Sequence, residues 1–534
     1  MKNNLVLIFE PSLFNLYKKE GLQNYFQFFK KKIDDFLKIS KLNLFIAIQE
    51  NKRDFIKEFF PDENIIVYDG HFKSFLISYN EILQNNSLKN ENNFTLLLSS
   101  SYPLFSFSKN IFLIEDAEKY LVDYYYGENF PEGIVGEVFK NSIIDEIIKL
   151  SNEKETYRQN IIFDILLKNI SLFDIDLLEG FDYYLPYRVS LSLSDFTSIP
   201  LIYNILKSNI DQFETVENKK TDKNVKLESI SNLSFFKEEI NDNPKYIEWE
   251  KIEGKLKILE NLYTFPKTFI IELSSKCNFS CIHCPYPKGL KRDSEFLNKE
   301  KLFSFINSNS LYFNDAKFII GGFGEPFMHK DFYQIINFLC KNNKVYIETN
   351  GSFLNTDFFD NFENPDNIFL IISIDAINEI TYKKLGKKMI LPILLKTTMT
   401  LLEKYPDNVY VSYLRTIHND DEIETFYSNF QKFEKNIIFR KYNSYSLQLE
   451  NLEVADLTPV ERFPCYHLRR ELFILSDGKI SLCYSDFNGE LLNLTIDDNF
   501  EQIINSYRKY FEMHCNKSYN PLCEKCNEFY TYFF

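Results

Sequence analysis

Six strand-like runs follow one another in the second half of the sequence: FIIELSS (269–275), AKFIIGGF (316–323), KVYIETN (344–350), IFLIISID (368–375), VYVSYLRT (409–416) and NIIFRKY (436–442). Helical segments separate them. One of these, DFYQIINFLCK, carries Phe332, Ile335, Ile336 and Leu339 at helical spacing, so it has a single apolar face. Cys340 beside that stripe reads as a small buried hydrophobe. Strands alternating with helices predict an α/β fold with a parallel sheet, open or curled into a partial barrel.

In such folds reactive groups gather at the carboxyl ends of the strands. Here a cysteine triplet follows the first strand and GGFGEP closes the second. TNG closes the third, Ser373 and Asp375 end the fourth, and Arg415 ends the fifth. Five features therefore converge on one mouth. In KCNFSCIHCPYP, Cys277, Cys281 and Cys284 stand without a fourth cysteine. A structural zinc site needs four ligands, so taken alone the triplet can be half of a split zinc site. A cubane iron-sulfur cluster held by three thiolates keeps one iron open.

The chain has nine cysteines, an odd count for disulfides, and none lies in the first 276 residues. Apart from Cys340 they cluster, which reads as metal ligation. C-x3-C-x2-C after a first strand, followed by GGFGEP, TNG and SID, resembles the radical SAM superfamily over residues 266–445. The resemblance implies a [4Fe-4S] cluster on Cys277, Cys281 and Cys284, with S-adenosylmethionine (SAM) at its open iron. Gly321, Gly322 and Gly324 let backbone approach a ligand closely, and Glu325 offers a negative group for the SAM ammonium. His283 fills a position that lies near the adenine in that family. Ser373 matches a residue touching the SAM carboxylate or ribose, and Asn350 and Asp375 are carried over with it. Many members have an arginine after the fourth strand that pairs with the SAM carboxylate. This sequence has TYKKLGKK there, with Lys383 and Lys384, and Arg415 is the candidate in the arginine's place.

Beyond residue 455, PCYHLRRELFILSDGKISLCYSDF and CNKSYNPLCEKCNEFY hold the remaining cysteines. Asp477-Gly478 signals a hairpin that brings Cys483 near Cys465, and Cys523 and Cys526 can clasp a centre from the other side. Spacing alone also allows a zinc ribbon. The block resembles the SPASM extension, which implies one auxiliary [4Fe-4S] cluster on these four cysteines and leaves Cys515 as a spare thiol or alternative ligand. In sulfatase-maturating relatives a carboxylate base follows the second SPASM cysteine. Tyr484 stands there, with Asp486 two residues on, so sulfatase maturation is not expected.

The first half, with LVLIF, LNLFIAIQE, NIIVYD, FTLLLSSSYPLF and IFLIED, predicts a separate α/β layer. SSYPL (100–104) and YRVSLSLSDF (187–196) resemble segments of GT-A-type cytidylyltransferases, a nucleotidyltransferase-like fold. Ser101 and Ser192 stand where that family has magnesium-binding aspartates, and EPSLF follows the first strand without a glycine-rich loop. The half is expected to bind a substrate or partner without transferase catalysis, or to be structural. The division expected is 1–214, a linker 215–265, a partial (β/α)6 barrel 266–455 and a SPASM extension 456–534. That layout resembles the family called spiro-SPASM.

A net charge of −15 gives no broad footprint for nucleic acid or an anionic membrane. The apolar run in MKNNLVLIFEPSLF is cut by Glu10, too short for a signal peptide, and no run of 18 apolar residues occurs, so a cytoplasmic, non-membrane location is expected. The resemblance implies an enzyme that abstracts a hydrogen atom and oxidises a peptide or protein, with a low-potential electron donor such as flavodoxin or ferredoxin. A sugar or cell-envelope precursor is the alternative substrate. A non-catalytic iron-sulfur redox or sensor protein is the alternative class.

Overall fold

In the computed structural model the described residues are 3–17, 19–61, 64–89, 92–180, 190–194, 198–207, 233, 236, 266–313, 316–460 and 462–531. The chain divides into two compact units, Met1–Thr264 and Phe265–Phe534. Most of the expected linker 215–265 lies outside the described residues, as do parts of YRVSLSLSDF. Phe236, inside that linker span, is buried with its ring against Tyr25 and Phe28, at 4.9 and 5.0 Å.

The first unit is built on β1 (Asn4–Ile8), β2 (Asn43–Gln49), β3 (Asn64–Tyr68), β4 (Phe94–Ser99), β5 (Tyr124–Glu128), β6 (Glu137–Lys140) and β7 (Ile175–Glu179). They form one sheet in the order β3-β2-β1-β4-β6-β5-β7. β1 to β4 pair in parallel, and β6 runs against both its neighbours. β1 and β4 are buried at every position, as their unbroken apolar runs require of strands covered on both faces. A helix opens at Pro11, just past β1.

In the second unit β8 (Thr268–Ile271), β9 (Lys317–Ile320), β10 (Lys344–Thr349), β11 (Ile368–Ser373), β12 (Val409–Arg415) and β13 (Ile437–Lys441) lie in sequence order, every adjacent pair parallel. All six expected strands are present, each shorter than its apolar run. The sequential order means that the chain winds always in one sense, so all carboxyl ends share one rim. The helix Phe332–Leu339 buries Phe332, Ile335, Ile336 and Leu339, and Cys340 is fully buried beside it.

The expected C-terminal extension is continuous with this sheet. β14 (Glu471–Ile474) pairs in parallel with β8, so Glu471 opposes Thr268 and Ile474 opposes Ile271. β15 (Lys479–Ser481) and β16 (Leu494–Thr495) follow antiparallel. The Asp477-Gly478 turn is present, with Gly478 at φ +83°. β8 would otherwise leave unpaired backbone groups along one side, and β14 covers them.

Candidate functional site

The loop leaving β8 carries Cys277, Cys281 and Cys284, and it is fastened from two sides. Ser280 and Ile282 N–H donate to Gly386 and Leu385 carbonyls, each at 3.1 Å, and Glu325 N–H donates to Lys276 O at 2.7 Å. The three cysteines border one cavity of about 240 Å³ with His283, Gly321, Gly322, Gly324, Glu325, Asn350, Ser373 and Asp375.

Arg415 does not reach the cavity. On β12 it is Ser412 and Leu414 that line it, and side chains alternate along a strand, so Arg415 points to the other face. There it is partly exposed and ion-paired with Asp420. Lys383 and Lys384 end the helix Glu379–Lys384 and do not line the cavity either. The basic group from that segment is Lys387, which the sequence reading missed. Gly386, at φ +84°, turns the chain inward so tightly that a Cβ there would stand 2.1 Å from Ser280 O. Lys387 is buried, 2.6 Å from Asp375 Oδ2, and donates to Ser373 O at 2.8 Å.

The glycines of GGFG line the cavity and also make a second close contact. A Cβ at Gly324 would lie 2.0 Å from Ser274 O, and one at Gly322 would lie 3.0 Å from Glu272 Cβ. What approaches closely is the chain leaving β8. Glu272 is wholly buried and anchors this junction: it takes Arg292 Nε at 2.8 Å and Nη2 at 3.2 Å, Phe323 N–H at 3.2 Å and Ser476 N–H at 3.1 Å. A glutamate inside FIIELSS was the available signal, because a buried carboxylate needs a partner.

Each carboxylate at the cavity is engaged by protein. Glu325 accepts from Thr349 Oγ1 at 2.8 Å and Asn350 N–H at 3.0 Å, and burial pushes its carboxyl up to about 7. Burial also works against the charged Asp375, but Lys387 overrides it and holds the carboxyl below its ordinary value. Lys387 in turn is lowered by burial and raised further by Asp375 and Cys281, so it stays charged. Glu348 pairs with Arg440 at 2.6 Å, a further couple at the cavity that sequence reading missed. Asn350 Nδ2 donates to Asn278 Oδ1 at 2.8 Å, and the Ser373 and Ser412 hydroxyls are 3.3 Å apart. His283 differs: its buried Nδ1 has no hydrogen-bond partner, and burial lowers the ring to about 4. Burial raises all three thiols, Cys281 to about 11.

A second, smaller cavity of about 50 Å³ is bordered by Cys465, Cys483, Cys523 and Cys526. Cys515, the last residue of the helix Phe500–Cys515, does not border it, but His514 does. Asp486 turns inward to accept Leu482 and Glu490 N–H at 3.0 and 2.9 Å, so it acts as a loop anchor. Asn443 and Tyr484 line both cavities. Among the described residues no three His, Cys, Asp or Glu side chains close on a point that would hold a single metal ion. No described helix is long and apolar enough to cross a membrane.

Residues 271–429 match the model of the Radical SAM superfamily, and residues 465–527 match SPASM, an iron-sulfur cluster-binding domain. These spans include both cysteine sets. An uncharacterized protein of Treponema pallidum (strain Nichols) is 25% identical over 292 residues, 51% of this chain and 81% of its own length. The antilisterial bacteriocin subtilosin biosynthesis protein AlbA of Bacillus subtilis (strain 168) is 27% identical over 123 residues, 22% of this chain and 26% of its own. Among solved structures, Streptococcus suis SuiB bound to precursor peptide SuiA has 14% identity and a TM-score of 0.37, covering 52% of this chain and 78% of that one.

Proposed function

Carrying a radical SAM domain followed by a SPASM iron-sulfur domain, the chain belongs to the radical SAM superfamily, and we propose that it is an enzyme for oxidative modification of a peptide or protein. A [4Fe-4S] cluster with SAM at its open iron supplies one-electron cleavage of the sulfonium and removal of a hydrogen atom from substrate. Cys277, Cys281 and Cys284 hold that cluster. The donor chemistry fits: three thiols border one cavity, and burial raises each of them, so a metal would displace their protons on binding. Glu325 faces the SAM ammonium, whose arrival would keep its carboxyl charged. Lys387, held charged by Asp375, serves the SAM carboxylate where Arg415 cannot. The partnerless edge of His283 would be left for the adenine.

The observation that carries this reading is the gathering of the three thiols, GGFGE, Ser373 and Asp375 on one cavity. A peptide substrate is supported by the likeness to AlbA, a bacteriocin biosynthesis protein. The four remaining cysteines would hold an auxiliary cluster, which would supply an electron acceptor when a substrate radical is oxidised. A low-potential flavodoxin or ferredoxin is the electron donor. The test is to incubate the anaerobically reconstituted chain with SAM, reductant and a panel of synthetic peptides of varied sequence. A peptide lighter by a pair of hydrogens, with 5'-deoxyadenosine released, supports the proposal; 5'-deoxyadenosine released with every peptide unchanged argues for another substrate class.

A further inference from the structure

Two histidines border the smaller cavity, and they differ in one respect. His467 has both ring nitrogens engaged: Nδ1 lies 2.7 Å from Glu471 Oε2, and Nε2 lies 3.1 Å from both Glu528 O and Thr531 Oγ1. His514 is only 2% exposed. Its Nδ1 lies 3.3 Å from Cys465 N, while its Nε2 is buried without a partner in the protein. A backbone N–H can only donate, so Nδ1 is the acceptor and the ring's proton sits on Nε2. The ring is held edge-on to Tyr519, with centroids 4.8 Å apart. His514 therefore brings a fixed, buried N–H donor to a cavity edged by four thiols, and a donor so placed implies an acceptor.

We propose that His514 donates a hydrogen bond from Nε2 to a sulfur of the centre held by Cys465, Cys483, Cys523 and Cys526, and so raises its reduction potential. The inference rests on reading that cavity as an iron-sulfur site. A reduced cluster carries more negative charge on its sulfurs, so a hydrogen bond to sulfur favours the reduced state.

The test uses the full chain with Cys277, Cys281 and Cys284 replaced by Ala, reconstituted anaerobically so that only the auxiliary centre reports, and titrated electrochemically with detection by electron paramagnetic resonance. His514→Phe should retain its iron and shift the oxidised-to-reduced ratio roughly tenfold toward oxidised, about 59 mV lower for a one-electron couple. His514→Gln, which keeps a donor, should stay near the parent. An unchanged potential in His514→Phe at equal iron overturns the proposal, as does His514→Gln falling equally far. Should His514→Phe lose its iron, pulsed resonance on the parent decides: weak coupling to a ring nitrogen supports the hydrogen bond, and the strong coupling of a bonded nitrogen overturns it. Zinc in place of iron in the parent overturns the underlying reading instead, and the metal count shows which has failed.

Discussion

The carboxyl ends of the two sheets make a controlled comparison. In the first unit β1 and β4 lead into hydroxyls that mostly pair with one another, although Ser100 Oγ among them is buried without a partner. Ser101 Oγ lies 2.7 Å from Ser99 Oγ, 2.8 Å from Ser192 Oγ and 2.8 Å from Glu10 Oε1, and Ser192 Oγ lies 2.7 Å from Ser194 Oγ. In the second unit the corresponding rim surrounds a cavity with three thiols and an imidazole nitrogen that has no partner. Similar layered architectures thus end in opposite chemistry. Hydroxyls that pair with one another stabilise a fold, whereas a rim of thiols and an unpartnered imidazole facing a cavity is built around something else.

The sharpest way to break this contrast is to delete donors on each side. Replacing Cys277, Cys281 and Cys284 by Ala should lower the iron content of the reconstituted chain from about eight to about four atoms, one cluster of two. Ser101→Ala with Ser192→Ala should leave it unchanged. Loss of iron from the serine variant would erase the distinction between the two rims.

Next in size is Lys387→Met. It strands the buried Asp375 carboxylate, and removing one partner of a buried ion pair costs roughly 3–5 kcal/mol. Chemical denaturation should show that loss, with much of it recovered in the Lys387→Met, Asp375→Asn double variant. Additive losses would mean that the pair is not coupled.

Glu137 sharpens the comparison from inside the first unit. It is buried, one oxygen has no partner, and burial pushes its carboxyl up to about 8. Between pH 4.5 and 8 the folded protein binds this proton and the unfolded chain does not. Glu137 therefore lowers stability as pH rises through that window, by about 1.4 kcal/mol per pH unit. Glu137→Gln should flatten the slope, measured as midpoint shifts between pH 5 and pH 7.5. An unchanged slope would show that the carboxyl titrates normally. The smallest effect belongs to Ser101→Ala alone, about 1 kcal/mol, because Ser192 and Glu10 lose one shared partner.

The six strands and the motifs that follow them were legible because period and punctuation are local properties. Facing was harder. Arg415 and Leu414 differ by one position, yet alternation sends one to solvent and the other to the cavity. Lys387 was hidden because its approach depends on Gly386 packing against Ser280, about a hundred positions earlier. The pairing of β14 with β8 and the junction at Glu272 join segments some 200 residues apart, which no local pattern encodes. The cysteine groupings were legible from spacing and a hairpin signal, but the turn of the helix Phe500–Cys515 that presents His514 instead of Cys515 was not.

The most direct measurement is release of 5'-deoxyadenosine from SAM by the anaerobically reconstituted chain under a strong reductant. The account predicts release by the parent and none by Cys281→Ala, whose auxiliary iron remains. A parent fully loaded with iron that releases none, or a Cys281→Ala chain that releases as much as the parent, would contradict it.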